Sequence, residues 1–345
     1  MGLEYAVQFT VTAPRLTRQD AAGVIELAAM ADHLGLHSIG TGDTSFRLGE
    51  AASRVTLLAL GARRAYVGMR PTNPWTRDPQ VVAGFLASID SITGGHAFME
   101  VATGDSAVTS VGRRPASRAR LAEFVGCVRD LLAGRVGSYD GRTIRCATEP
   151  RPPVRVSVGA EGPLMLHLAG RIGDAVSIGT GLTPEVVADS LERVRQGARE
   201  AGRDPEAPEP WFTVRSVLDT DRDRAHRRLR PSLASILHHS MRAGTADRHV
   251  PEEHRAALAE FVAGYVLDDH QRAGGRNEEL MCRLGLADLA AERWGLAGDA
   301  GDWVERLAQL EDAGIRRVWL AARGTVGQLR ETVRSFGEDV LPHVR

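Results

Sequence analysis

Apolar and polar positions along the chain switch repeatedly between two periods, two residues and three to four residues. Glu4 to Val11 alternates and is rich in β-formers, so it reads as a first strand. Thr17-Arg18-Gln19-Asp20 opens a helix whose apolar positions are Val24, Ile25, Leu27, Ala28, Ala31 and Leu34. Gly35 ends it, as a left-handed residue just past a helix does. Leu36 to Gly40 gives a second strand, followed by the polar loop Thr41-Gly42-Asp43-Thr44-Ser45. Ala51 to Arg63 is helical, and Tyr66 to Met69 is a third strand. Pro71, Pro74 and Pro79 should stop it from running on as an ordinary central strand. Residues 80 to 92 return to helical spacing, with Asp78 placed to cap them. Ala97 to Ala102 is a fourth strand, ending in Thr103-Gly104-Asp105.

The second half repeats the theme. A helix covers Ala116 to Leu132, and the turn-rich run Gly137 to Pro153 predicts a small hairpin or irregular excursion at an internal boundary. Val154 to Val158 and Ala175 to Ile178 are strands, each followed by a Gly-rich turn and a helix (Met165 to Arg171, Pro184 to Ala201). Trp211 to Leu218 alternates. Asp221 to Leu296 is helical but interrupted by Pro231, Pro251 and Gly274-Gly275, too long for one crossover. Asp302 to Ala313, Arg317 to Ala321 and Val326 to Val340 close the chain as helix, strand and helix. Strands alternating with helices predict an α/β fold, a (β/α)8 TIM barrel over residues 1–345 with a helical insertion at 221–296 before the last strand. A doubly wound open sheet is the alternative. In a barrel, the strand-end residues Gln8, Asp43, Thr72, Asn73, Thr103, Gly104, Asp105, Ala160, Glu161, Gly162, Gly179 and Thr180 converge on one mouth.

Composition removes several chemistries. The chain has no lysine, and all 43 basic residues are arginine. Arginine cannot lose its proton to form a Schiff base, so lysine-dependent aldolases and pyridoxal-phosphate enzymes are excluded, as is an ordinary P-loop. A net charge of −1 without basic blocks argues against nucleic acid as a partner. No apolar run has the length of a membrane span, and no signal peptide is expected. Cys127, Cys146 and Cys282 are isolated, which favours a reducing cytoplasm over disulfides or structural zinc.

The loops are short of classical catalysts. His37 is the one histidine near them, and His238-His239 and Asp268-Asp269-His270 in the insertion read as solvated or lid residues. Glu100, Asp105 and Glu161 lack the spacing of a metal site, so no metal is expected. Gly159-Ala160-Glu161-Gly162-Pro163 leads into a helix, and Gly179-Thr180-Gly181 ends the next strand. Such turns cradle phosphate through backbone N–H groups and need no lysine. They read equally as plain turns that require glycine.

Thr72-Asn73-Pro74-Trp75-Thr76-Arg77-Asp78-Pro79, Thr103-Gly104-Asp105-Ser106-Ala107-Val108, and Gly159 to Met165 with Ala169-Gly170-Arg171-Ile172-Gly173-Asp174 occur in that order. Together they resemble the bacterial luciferase-like flavin-dependent oxidoreductases. Within these the chain is most similar to the branch containing methylenetetrahydromethanopterin reductase, which uses the deazaflavin coenzyme F420. The resemblance runs from the first strand to about Pro205 and again from Ala297 to the end. It implies a barrel with the cofactor ring over the strand ends. Asp43 matches the acid that contacts the ring, and Pro71, Thr72 and Asn73 match the bulge behind it, with Arg70-Pro71 at the position of a cis peptide. Thr103 and Gly104 match cofactor contacts, and Ala160, Glu161, Gly162, Gly179 and Thr180 match the phosphate turns.

The chain also departs from the pattern. Gln8 stands where the methanopterin reductases carry glutamate, Thr44 where many relatives have histidine, and His96 where arginine is usual; Glu100 is an unexpected charge. The resemblance implies hydride transfer between reduced F420 and an unsaturated small molecule, by a homodimer. Asp43 and Asp105 are then the candidate catalytic residues, with Gln8 beside them as a hydrogen-bonding group. A monooxygenase using FMN and dioxygen, and a flavin-binding barrel without turnover, are the alternatives.

Overall fold

The computed structural model describes residues 2–145 and 153–344; Cys146 and residues 147–152 of the expected excursion lie outside them. In chain order the strands are β1 (Glu4–Val11), β2 (Ser38–Thr41), β3 (Tyr66–Thr72), β4 (Ala97–Val101), the hairpin pair β5 (Gly137–Tyr139) and β6 (Arg142–Ile144), β7 (Arg155–Ala160), β8 (Ala175–Ile178), β9 (Glu209–Leu218), β10 (Gly295–Gly298) and β11 (Arg317–Gly324). The sheet runs β9-β11-β1-β2-β3-β4-β7-β8, and β8 pairs back to β9. All of these pairings are parallel, so the eight strands close into the expected barrel and the open sheet is ruled out.

The helices are α1 (Arg18–His33), α2 (Ser45–Leu48), α3 (Ala51–Gly61), α4 (Pro79–Thr93), α5 (Ser106–Thr109), α6 (Arg118–Leu132), α7 (Pro163–Ile172), α8 (Pro184–Glu200), α9 (Arg222–Met241), α10 (Glu252–Gly264), α11 (Arg276–Arg283), α12 (Ala287–Trp294), α13 (Ala300–Asp312) and α14 (Val326–Ser335). Their starts follow local chemistry. Thr17 and Asp20 form a capping box on α1, and Asp78 accepts from the Gln80 N–H at the start of α4. Gly35 takes φ +74 just past α1.

Three features differ from the pattern reading. β3 does not stop at Met69 but reaches Thr72, because the ladder slips between Met69 and Thr72. That bulge excuses Pro71 from donating a ladder hydrogen bond, and Arg70–Pro71 is cis, as the resemblance implied. The helical stretch expected to Leu296 ends at Trp294, and Gly295–Gly298 forms β10 beside Arg215–Leu218 of β9. Gly-Leu-Ala-Gly has no β-branched residue, so nothing local marked it as a strand. The last helix, expected to Val340, changes at Phe336 into one π-helical turn.

Alternation along the strands sorts the barrel interior into levels. Low in the barrel, Ala6, Phe98, Ala175, Trp211 and Trp319 form an apolar plug, with the two Trp rings 5.8 Å apart. His37 lies at this level, 5.2 Å from the Tyr66 ring and 5.0 Å from that of Trp211, away from the strand-end loops. Above the plug the interior turns polar. The helices between β9 and β10 have an apolar core of their own, including Leu233, Leu237, Phe261, Met281 and Trp294. No helix among the described residues is long and apolar enough to cross a membrane.

Candidate functional site

The loops at the carboxyl ends of the strands surround a cavity of about 600 Å³. Gln8, Asp43, Pro71, Thr72, Asn73, Thr103, Gly104, Asp105, Ala160, Glu161, Gly162 and Gly179 all line it. Thr180 does not. Its hydroxyl pairs with Ser190 Oγ at 2.8 Å, and its carbonyl accepts from Arg293 Nε at 3.0 Å.

Arg70 organises the floor. Its guanidinium lies 4.1 Å above the Trp319 ring. It donates to Gln8 Oε1 (2.5 Å), Ser177 Oγ (2.9 Å) and Thr213 Oγ1 (2.6 Å), and its Nε lies 3.1 Å from Glu100 Oε2. Gln8 returns a hydrogen bond to the Arg70 carbonyl at 3.2 Å, so both ends of its amide serve Arg70. Arg70 and Glu100 are each under 5% exposed. Burial lowers Arg70 to about 10, and burial raises Glu100 although Arg70 pulls it down. The unexpected acid of the fourth strand is therefore a buried partner that also faces the cavity.

Asp43 sits at the end of β2 in a closed clasp. Arg77 Nε and Nη2 donate to its two oxygens at 2.9 and 2.8 Å, and Thr72 Oγ1 donates at 2.8 Å. This bidentate fork is the strong form of the pair, and hydrogen bonding to Asp43 raises Arg77 above its ordinary range. The next loop is equally fixed: Asn73 Oδ1 accepts from the Trp75 and Thr76 N–H groups at 3.0 Å. Gly104 holds φ +92, and a Cβ there would come 2.2 Å from Val108 Cγ2, so only glycine fits this turn.

Asp105 and Glu161 are joined by a residue from α9. His239 Nδ1 lies 2.9 Å from Asp105 Oδ2, and its Nε2 lies 2.7 Å from Glu161 Oε2. Arg242, one turn further on, also pairs with Asp105. Burial works against charge on His239, but Glu161 and Asp105 outweigh it and raise the imidazole to about 9. Burial likewise pushes Asp105 up, and the bond from His239 with the charges of His239 and Arg242 reverses this to well below the carboxylate range. His270, buried on the same side between Ser235 and Tyr265, is lowered to about 4 by burial and by Arg47.

The opposite polarity collects around α7. Its first turn leaves backbone N–H groups facing its N-terminal end, and Gly162 is the residue before it. Arg248 donates to the Glu161 carbonyl at 2.7 Å, and a Cβ on Gly162 would come 3.1 Å from its Nη2. Across the whole lining, Arg47, Arg70, Arg215, Arg242, Arg248 and Arg323 face Asp43, Glu100, Asp105 and Glu161, leaving a surplus of positive charge.

His239, Arg242, Arg248, His270 and Gln271 were not singled out as site residues from the sequence. The usable signal was faint: His239 and Arg242 are three apart and share a face of one helix. Arg215 and Arg323 had a clearer one, as charges at inward-facing ends of alternating strands.

Comparison with known proteins agrees with this architecture. The chain is 26% identical to the 5,10-methylenetetrahydromethanopterin reductase of Archaeoglobus fulgidus over 85% of its length and 87% of the relative's. It is 29% identical to the F420-dependent glucose-6-phosphate dehydrogenase of Nakamurella multipartita, over 85% and 82% respectively. The structure of the coenzyme F420-dependent tetrahydromethanopterin reductase from Methanopyrus kandleri superposes over 100% of both chains, with a TM-score of 0.76 and 20% identity. The family profile described as luciferase-like monooxygenase matches residues 1–341, and the chain belongs to that family.

Proposed function

We propose that the protein is an oxidoreductase that uses the deazaflavin coenzyme F420 to transfer a hydride to or from an unsaturated small molecule. The observation that carries this reading is the surplus of guanidinium charge around a cavity of about 600 Å³, with Arg248 and the first turn of α7 on one side. A ring system with a phosphate-bearing tail asks for that combination, and lysine is not needed to supply it. The residues fit the group: without a Cβ at Gly162, the Arg248 guanidinium packs directly against the start of α7.

In this reading Arg248 and the α7 turn hold the tail anion, and Pro71, Thr72 and Asn73 back the ring. The bound cofactor supplies hydride chemistry that no side chain of this protein can perform. Asp43, with both oxygens taken by Arg77 and Thr72, fixes the Arg77 and Thr72 side chains beside the ring. His239 holds a proton between Asp105 and Glu161 at the cavity wall, and Glu100 anchors the Arg70 guanidinium at the floor. Gln8 fixes the Arg70 guanidinium. The α9 helix and the loop carrying His270 and Gln271 limit access of water.

The family's own description favours a second reading, a monooxygenase using FMN and dioxygen. Titration of the apo-protein with F420 and with FMN, followed by fluorescence, separates them. Saturable F420 binding with weak FMN binding, and a reduced form that ignores dioxygen in stopped flow, is the expected result. Tighter binding of FMN with rapid oxygen consumption would favour the monooxygenase, and binding of neither would remove both.

A further inference from the structure

The cations lining the cavity differ in what answers them. Arg70 faces Glu100, and Arg242 faces Asp105. Arg47 and Arg323 have no carboxylate partner among the described residues. Arg47 donates to the His270 carbonyl, and Arg323 Nη1 donates to Gln271 Oε1 at 2.7 Å. Both line the cavity and both are half-buried. Burial lowers each below the ordinary arginine range, and the charge of Arg47 lowers Arg323 further. Two like charges drawn out of water with only neutral acceptors are unfavourable until an anion joins them.

Their placement is specific. Arg323 ends β11 and is the register partner of Thr10 on β1, which also lines the cavity. Arg47 lies in α2, directly after β2, on the other flank of β1. These three residues therefore span one sector of the rim. In the closed barrel β7 stands four strands from β1 in either direction, so this sector lies across the mouth from Gly162 and Arg248.

We propose that Arg47, Thr10 and Arg323 form the subsite for an anionic end of the substrate, so that the substrate is an organic acid bearing a carboxylate or a phosphate. The assignment rests on the reading that the β7 side holds the cofactor's tail. It leaves the middle of the cavity, above Arg70 and Glu100, for the reacting carbon.

The test is calorimetric titration of the full chain loaded with F420, using inorganic phosphate in one arm and acetate in the other. The loaded wild-type protein is expected to bind at least one of them. Arg47→Gln and Arg323→Gln should each weaken that binding about tenfold or more, as loss of a charged hydrogen-bond donor does. Arg323→Lys should restore most of it, and F420 affinity should stay within about threefold of wild type in all three, the change expected away from the cofactor's own contacts. Binding of phosphate alone assigns a phosphate ester; binding of acetate assigns a carboxylate. Because Arg47 belongs to a single four-residue turn outside the barrel, its variant tests the proposal even if Arg323→Gln does not fold. Wild-type protein that binds neither anion, variants that bind them unchanged, or variants whose main loss is of F420 would overturn the subsite. If F420 itself does not bind, the same titration in Arg248→Gln protein still reads it. A further tenfold loss on adding Arg323→Gln would keep the subsite while the cofactor reading falls.

Discussion

Asp43 and Asp105 stand at matching places, just beyond the ends of β2 and β4, yet they are held by different kinds of partner. Asp43 is gripped by Arg77 and Thr72, neighbours from the next strand and its loop. Asp105 is gripped by His239 and Arg242, which arrive from α9 more than a hundred residues later. One side of the cavity is therefore fixed by a permanently charged fork built into the barrel. The other is fixed by a titratable imidazole, joined by Arg242, on the helical connection. The first behaves as framework; the second ties a cover to the framework through a group that can lose its charge.

This contrast can be broken experimentally. Arg77→Ala leaves Asp43, only 3% exposed, without its fork, and should cost about 3–5 kcal/mol in urea unfolding. A loss under about 1 kcal/mol would mean the clasp is not framework. The imidazole predicts a pH effect. His239 is raised from 6.5 to about 9, so its contribution is fully present below about pH 6.5 and is lost as pH rises through about 9. The shift corresponds to at most about 3 kcal/mol, shared with its two carboxylate partners. Wild-type stability should therefore fall between pH 6.5 and 9.5, and His239→Gln should abolish that slope while Arg77→Ala keeps it.

Asp105→Asn should cost about 1–2 kcal/mol, since the pair is about a quarter exposed. It should also move the His239 titration, followed by NMR, down toward the ordinary range; an unmoved midpoint would assign the shift to Glu161 alone. Thr72→Val removes one charged hydrogen bond from Asp43 and should cost about 1 kcal/mol, without altering the pH slope.

The same contrast explains what could be read from the sequence. The barrel and its rim were legible because strand alternation, helix caps and Gly-rich turns are local signals; Glu4–Val11 and Ala175–Ile178 appear with the bounds that their patterns give. The partners from α9 were not, because helical periodicity marks the buried face and says nothing of which loop meets the polar one. His239 therefore read only as a solvated or lid residue, with no partner named for it. Gln8 sat at the cavity as expected, but its engagement with Arg70 depends on a contact 62 residues away. Thr180 shows the opposite limit: it follows a rim strand, yet its side chain turns to Ser190.

The aromatic plug below Arg70 has a kinetic consequence. Trp211, Trp319 and Phe98 fill the far end of the barrel, so among the described residues the cavity opens at the loop-lined end. A cofactor tail and a substrate anion held at opposite sides of that opening would share it, so each would narrow the passage left to the other.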